Sequence, residues 1–159
     1  MWQHFIIGIN QSLYIFDYII ELITPRLLYY SSHLFLSPIF YYIIANRHTK
    51  AMSILFSMIF TNFILSIAFW SDPIKHSYLH YIDAIAAKFS IIVMIIVTTI
   101  KRIVYSQTMK WYISCLSIMI LFFYLSNIFS TIEWCSKQHL ITHFIGHIMA
   151  TITMFFVFH

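Results

Sequence analysis

Long apolar runs separated by short polar loops dominate the chain. Four runs, residues 27–45, 51–70, 82–100 and 111–129, are each close to the ~20 apolar residues that a helix needs to cross a bilayer core. A fifth run, residues 138–158, is also apolar but contains several histidines. The runs are too long and too continuous for the alternating strands of a membrane β-barrel. The pattern therefore predicts membrane-spanning helices.

The first apolar stretch, residues 5–24, has two interpretations. Asn10, Asp17 and Glu21 fall on one narrow stripe of a helix, so the segment either lies in the membrane interface or spans with this stripe turned inward. We favour spanning, because Pro25 and Arg26 predict a tight turn into the next helix. The sequence thus predicts an all-α, polytopic transmembrane helical bundle of five to six spans, with residues 1–159 forming a single domain.

The composition supports the membrane assignment. Of the 159 residues, 61% are hydrophobic and only 9% are charged, whereas a soluble domain carries about 25% charged residues to solvate its surface. The net charge of +4 includes no basic run interleaved with polar residues, so we expect no nucleic-acid partner. No cleavable signal peptide is expected, since the N-terminus lacks a positive region and a small-residue cleavage site. Membrane lipids are the expected partners, and the oligomeric state is left open.

The distribution of lysine and arginine predicts the direction of the spans. The short loops at residues 46–50 and 101–110 both carry several basic residues, and they lie at the same end of the predicted bundle. The loops at the other end have balanced charges. Because basic residues are enriched in cytoplasmic loops, residues 46–50 and 101–110 are expected on the cytoplasmic side.

With this orientation, the polar residues inside the spans converge on the outer half of the bundle. Ser66 lies about a turn below the outer end of one helix, and His80 and Asp83 stand at the outer start of the next. The last helix carries three histidines four residues apart, which places them on one face. They are His139, His143 and His147. Ionisable residues inside a membrane are expensive, so this convergence predicts a functional site.

The residue types favour a zinc site among the alternatives. His143 and His147 are spaced to hold one Zn²⁺ ion through their ring nitrogens, and His80 from the neighbouring helix is a candidate third ligand. A fourth position would remain for water, and Asp83 could take its proton. Ser66 could donate a hydrogen bond to a developing oxyanion.

These residues resemble the motifs of the CREST superfamily of membrane hydrolases, which includes alkaline ceramidases, adiponectin-type receptors and haemolysin-III-like proteins. That family carries a Ser-x3-His near the end of one helix, an Asp at the start of the next, and a His-x3-His on the last helix. Here Ser66, Asp83 and His143-x3-His147 match these elements, whereas Trp70 stands where the family has its first histidine. The family also has seven helices. The resemblance implies a zinc-dependent intramembrane hydrolase of a lipid amide or ester.

Other interpretations of the same residues stay open. The missing histidine at Trp70 favours a non-catalytic receptor or scaffold that retains the polar or metal site. The histidines could instead line a proton or ion pathway. In structural terms, His139, His143 and His147 could form a polar stripe that is hydrogen-bonded within the bundle. Ser66 could simply pack two helices together.

Overall fold

The computed structural model describes residues 24–45, 49–100 and 107–158, and every secondary-structure element within them is helical. Residues 5–23 of the predicted segment 5–24, together with the loop residues 46–48 and 101–106, lie outside the described residues. In chain order the elements are α1 (Pro25–Ser32), a 3₁₀ turn (His33–Phe35), α2 (Leu36–Ala45), α3 (Lys50–Ser71), α4 (Tyr78–Ile100), α5 (Gln107–Ile132) and α6 (Lys137–Phe158).

Five of these helical stretches are long and apolar enough to cross a membrane, when α1, the 3₁₀ turn and α2 are taken as one span of 21 residues. The predicted all-α fold with five apolar runs is therefore confirmed, and the chain is a multi-pass membrane protein. The predicted helix ends are correct to within about one turn. The third of these spans, α4, begins at Tyr78 rather than at residue 82. Its first turn is too polar to belong to the predicted apolar run. This turn is helical nevertheless, because Ser77 caps it.

The first span is interrupted by a 3₁₀ turn, and the cause is Pro38. A proline inside a helix has no N–H to bond the carbonyl four residues earlier, and its ring crowds that carbonyl. The carbonyl in question belongs to Leu34, within the 3₁₀ turn His33–Phe35. The hydroxyl of Ser37 donates to it at 2.7 Å instead. The continuous helix that hydropathy predicted over residues 27–45 is thus broken without leaving this carbonyl unpaired.

Two helical hairpins form most of the bundle. Helix α5 packs extensively against α6 and α3 packs against α4, while α1 contacts both α3 and α6. By contrast, α4 and α5 scarcely touch each other. Loops 72–77 and 133–136 lie together at one end of the bundle, which we call the histidine end because α4 and α6 begin there with His80 and His139 in their first turns.

Candidate functional site

Helices α4 and α6 begin with the same local structure. Each is preceded by a residue in the left-handed conformation, His76 (φ 63°) or Cys135 (φ 59°), which turns the chain back into the bundle. The next residue is a serine, Ser77 or Ser136, whose Oγ accepts the backbone N–H of the residue three positions later. Each serine thereby satisfies one of the free N–H groups of the first helical turn. Burial raises the pKa of the Cys135 thiol, so this turn residue is neutral.

The residue three positions after each serine is a histidine. A backbone N–H of the preceding turn determines which ring nitrogen of that histidine carries the proton. Nδ1 of His80 accepts the backbone N–H of His76 at 3.1 Å, and Nδ1 of His139 accepts that of Cys135 at 3.1 Å. A ring nitrogen that accepts a hydrogen bond carries no proton, so the neutral rings are protonated at Nε2. The remaining polar atom of His80 and of His139 is therefore an N–H donor.

Trp134 lies between these two histidines and joins the two loops. Its ring centroid is 5.0 Å from that of His80 and 4.9 Å from that of His139, and its Nε1–H donates to the carbonyl oxygen of Pro73 at 3.2 Å. The ammonium of Lys75 lies 5.8 Å from the same centroid and donates to a carbonyl oxygen near the C-terminal end of α5 at 2.7 Å. A cation is favourable there because of the helix dipole. These contacts hold both histidines in place.

The histidines of α6 form a ladder that runs from the histidine end toward the middle of the bundle. Ring centroids are 5.9 Å apart for His139 and His143, and 4.8 Å apart for His143 and His147. Nδ1 of His143 is 3.0 Å from Oγ of Ser126 on α5, and Nδ1 of His147 is 2.8 Å from Oγ of Ser31 on α1. The lower two histidines thus fasten α6 to two neighbouring helices.

Ser66 belongs to a pair of serines between α1 and α3. Its Oγ is 2.9 Å from Oγ of Ser32, and the hydroxyl of Ser32 donates to the carbonyl oxygen of Leu28 at 2.8 Å. Because Ser32 has a single hydroxyl proton, Ser66 is the donor within the pair. The proton of Ser66 is therefore engaged in helix packing, and the predicted role as an oxyanion donor gains no support from this geometry.

Asp83 differs from the histidines because its carboxyl group has no partner among the described residues. It follows His80 by three residues on α4 and lines the same pocket. In residues 24–45, 49–100 and 107–158, no side chain or backbone group makes a hydrogen bond or ion pair with its carboxyl oxygens. An acidic group at membrane depth is costly, and such groups mark sites for ligands, ions or protons.

One pocket of about 360 Å³ brings these groups together. All five residues predicted for the site line it, namely Ser66, His80, Asp83, His143 and His147. At the histidine end its walls include polar side chains, whereas its deep end is formed by Leu55, Ile59, Met94, Met119 and Met154. The structure therefore unites the predicted residues in one place, while their chemical roles stay predictions.

The pocket faces outward between α4 and α5. These helices form opposite walls of the pocket but make almost no contact with each other. Lys88 on α4 and Tyr124 on α5 line the pocket and are exposed, which marks its rim. Within the described part of the chain, the pocket is thus accessible from the side of the bundle, where lipid would lie.

The hydrogen bonds of the donor set give only partial support to the zinc site predicted from the sequence. A histidine that binds zinc usually donates its other ring N–H to an acceptor, but Nδ1 of His80 accepts a hydrogen bond from the backbone. The hydroxyl of Ser31 donates to the carbonyl oxygen of Leu28 at 3.1 Å, so Nδ1–H of His147 is the donor to Ser31, as in a zinc-binding histidine. The hydroxyl partner of His143 is compatible with either protonation state. No three His, Cys, Asp or Glu side chains among the residues described above are placed to hold one metal ion. A site built from His80, His143 and His147 therefore remains a prediction.

No protein-family model, no curated protein and no solved structure matches this chain. The resemblance to the CREST membrane hydrolases is consequently carried by its few matching residues and stays a prediction. The candidate site has to be judged from its own geometry.

Several residues that build the candidate site escaped the sequence analysis. Ser77 and Ser136 cap the helices that carry His80 and His139, and Trp134 packs against both rings. A signal for the caps was present, since Ser-x2-His occurs twice, each time just before a long apolar run. This spacing is analogous to the capping box, in which an N-cap serine is followed three residues later by a polar side chain. The position of Trp134 had no comparable signal.

Proposed function

We propose that this protein binds a neutral amphiphilic lipid, with the head group at the histidine end and the acyl chain in the deep part of the pocket. The observation that carries this proposal is one pocket of about 360 Å³ with a polar end and an apolar end. Its volume is within the range of small-molecule sites, which are largely apolar and contain a few placed polar groups.

The polar groups at the histidine end define the chemistry of the head group. Nε2–H of His80 and of His139 are donors, and so is Nε1–H of Trp70, which is buried and has no partner in the described residues. The carboxyl group of Asp83 is the unpartnered counterpart. A hydroxyl-bearing head group accepts from the N–H groups and donates to Asp83. A neutral head group of this kind also avoids placing an anion beside the carboxyl group.

The route into the pocket suits a ligand that is dissolved in the membrane. The gap between α4 and α5 opens sideways, so an acyl chain can enter without passing through water. If the basic loops are cytoplasmic, as the sequence predicts, the head group would lie in the opposite leaflet.

Equilibrium binding of a radiolabelled monoacylglycerol to the purified full-length protein tests the proposal, with the methyl ester of the same fatty acid as the comparison probe. We expect saturable binding of the monoacylglycerol and about tenfold weaker binding of the methyl ester, which has no hydroxyl to pair with Asp83. The variant Asp83→Asn should weaken monoacylglycerol binding, whereas Asp72→Asn, in an exposed loop, should not. Equal non-saturable partition of both probes would refute a specific site.

Hydrolysis of the bound lipid is a second candidate. It is favoured by the presence of Asp83, His143 and His147 in the same pocket, where the ester or amide of a bound lipid would also lie. Incubation of the protein with lipid esters and amides, with and without added zinc, tests it by product analysis. Turnover that depends on zinc and is lost in His143→Ala would support it. Absence of turnover in protein that binds lipid would leave the receptor or carrier interpretation.

A proton pathway along the histidine ladder has less support. Below His147, the hydroxyls of Thr151 and Thr153 donate to backbone carbonyls of their own helix at 3.0 and 2.7 Å. The described part of α6 therefore does not extend the ladder into the other half of the bundle.

A further inference from the structure

Two polar groups in the deep half of the pocket have no hydrogen-bond partner in the described residues. They are Oδ1 of Asn62 on α3 and Oγ of Ser90 on α4. Their side chains are only 9% and 6% exposed, and both line the pocket. A buried polar group without a partner is destabilising and is uncommon in folded proteins. Each of these two atoms therefore needs a partner that the described residues do not supply.

Ser90 had an intrahelical alternative that it does not use. A hydroxyl in a helix commonly donates to the carbonyl three or four residues earlier, as Thr98 of the same helix does to Met94 at 2.7 Å. Ser57 on α3 makes the same kind of bond to Ser53 at 3.0 Å. Ser90 keeps its hydroxyl available to the pocket instead.

Asn62 and Ser90 lie at a similar depth on two helices that pack together. At ~1.5 Å per residue, Asn62 is about 14 Å below the end of α3 at the histidine end, and Ser90 is about 18 Å below the start of α4. Ser90 lies about 10 Å below Asp83 along the same helix. The pocket thus has a second polar level, separated from the head-group level by roughly the length of a short hydrocarbon segment.

Building on the proposed function, we infer that the lipid bound here carries a hydroxyl group partway along its acyl chain. A hydroxyl can donate to Oδ1 of Asn62 and accept from the hydroxyl of Ser90, so one group satisfies both orphaned atoms. A plain hydrocarbon chain would leave both unpaired. A site that pairs a ligand hydroxyl discriminates strongly against the analogue that lacks it, because the buried polar groups of the protein then lose their partner.

The test compares a monoacylglycerol whose acyl chain carries a hydroxyl group with its unsubstituted parent of equal chain length. A series of isomers with the hydroxyl moved along the chain should give one optimum position. We expect the best hydroxylated isomer to bind the full-length protein about tenfold more tightly than the parent.

The double variant Asn62→Leu with Ser90→Ala tests which residues cause the preference. It should remove the preference for the hydroxylated probe and leave the affinity for the plain probe equal or higher. Because both replaced groups are unpaired, the ligand-free variant should melt at the same temperature as the wild type or higher. Ser57→Ala, an exposed position on α3, is the matched control and should retain the preference.

The outcomes separate this inference from the proposal on which it rests. If neither probe binds saturably, the proposed lipid site is wrong. If both bind wild-type protein with equal affinity, the lipid site stands and the chain hydroxyl is refuted, in which case ordered water fills the second polar level. A preference that persists in the double variant overturns the assignment to Asn62 and Ser90.

Discussion

Helix α5 has two neighbours around the pocket, and it meets them in opposite ways. Against α6 it forms the most extensive contact of the bundle, and Gly146 allows this close approach. A Cβ atom at Gly146 would lie 2.8 Å from the ring of Phe123, nearer than side chains normally come. Toward α4, by contrast, α5 makes almost no contact and borders a pocket.

The polar groups on the two sides of α5 differ in whether they are hydrogen-bonded. Where α5 meets α6, Ser126 and His143 are hydrogen-bonded to each other at 3.0 Å. Where α5 faces α4, Asp83 and Ser90 have no partner in the described residues. A membrane protein pairs the polar groups that it uses for packing, because an unpaired one is costly in lipid. The comparison teaches that the α4–α5 side carries polar groups whose partners lie outside the described residues, as the proposed lipid site requires.

Filling the α4–α5 side should have the largest effect. The substitution Ala87→Trp places a bulky ring in the pocket, and we expect it to weaken monoacylglycerol binding at least about a hundredfold, since the acyl chain loses its space. Ile85→Trp on the same helix, at a position 65% exposed and outside the pocket, is the control. Binding that survives Ala87→Trp would mean that the ligand lies elsewhere.

Crowding the contact between α5 and α6 should lower the stability of the protein more than its affinity for monoacylglycerol. In Gly146→Ala the added methyl group collides with Phe123, so the free energy of unfolding in detergent should fall by about 1–3 kcal/mol. Ile141→Ala on an exposed face of α6 should cost far less. Chemical denaturation of both variants measures the difference, and similar values for the two would contradict a tight seam at Gly146.

Removing a head-group donor should give an intermediate effect. His139→Phe keeps a ring against Trp134 but loses the Nε2–H donor, and we expect monoacylglycerol affinity to fall about tenfold. His33→Phe is the matched control, because His33 is exposed and lies outside the pocket. An equal loss in both variants would show that the effect does not come from the pocket.

Removing one cap should have the smallest effect. Ser136→Ala deletes the acceptor for the backbone N–H of His139, and about 1 kcal/mol of stability should be lost. Because the ring of His139 is also held by Cys135, monoacylglycerol affinity should fall by no more than about twofold. Thermal melting compared with Ser71→Ala, at the exposed end of α3, checks the stability part. A binding loss as large as that of His139→Phe would mean that the serine itself contacts the ligand.

Much of the fold could be predicted because it depends on local properties. The apolar runs gave the spans, since a helix that crosses lipid must pair its own backbone and needs ~20 apolar residues. The alternating direction of consecutive spans then brought Ser66, His80 and Asp83 to the same end as the histidines of α6. The break at Pro38 was also encoded locally, but a hydropathy window does not register it.

The roles of the site residues could not be predicted in the same way. His80 was predicted to bind zinc from its residue type, and that role stays a prediction; in the structure its Nδ1 accepts a backbone N–H, which favours a donor at Nε2. Ser66 was predicted to act in catalysis, and in the structure its hydroxyl donates to Ser32. These hydrogen-bond partners bear on the chemistry of both residues, and neither partner follows from a motif in the sequence.

The sequence by itself determined that this chain is a helical membrane protein and that the predicted site residues lie toward the same end of the bundle. Both follow from the length of each apolar run and from the alternating direction of successive spans. Only the tertiary structure decided which polar groups are paired and which have no partner within the described residues. That distinction depends on distances of about 3 Å between atoms on different helices. Such distances arise from packing, as at Gly146, and the linear pattern of residues does not contain them.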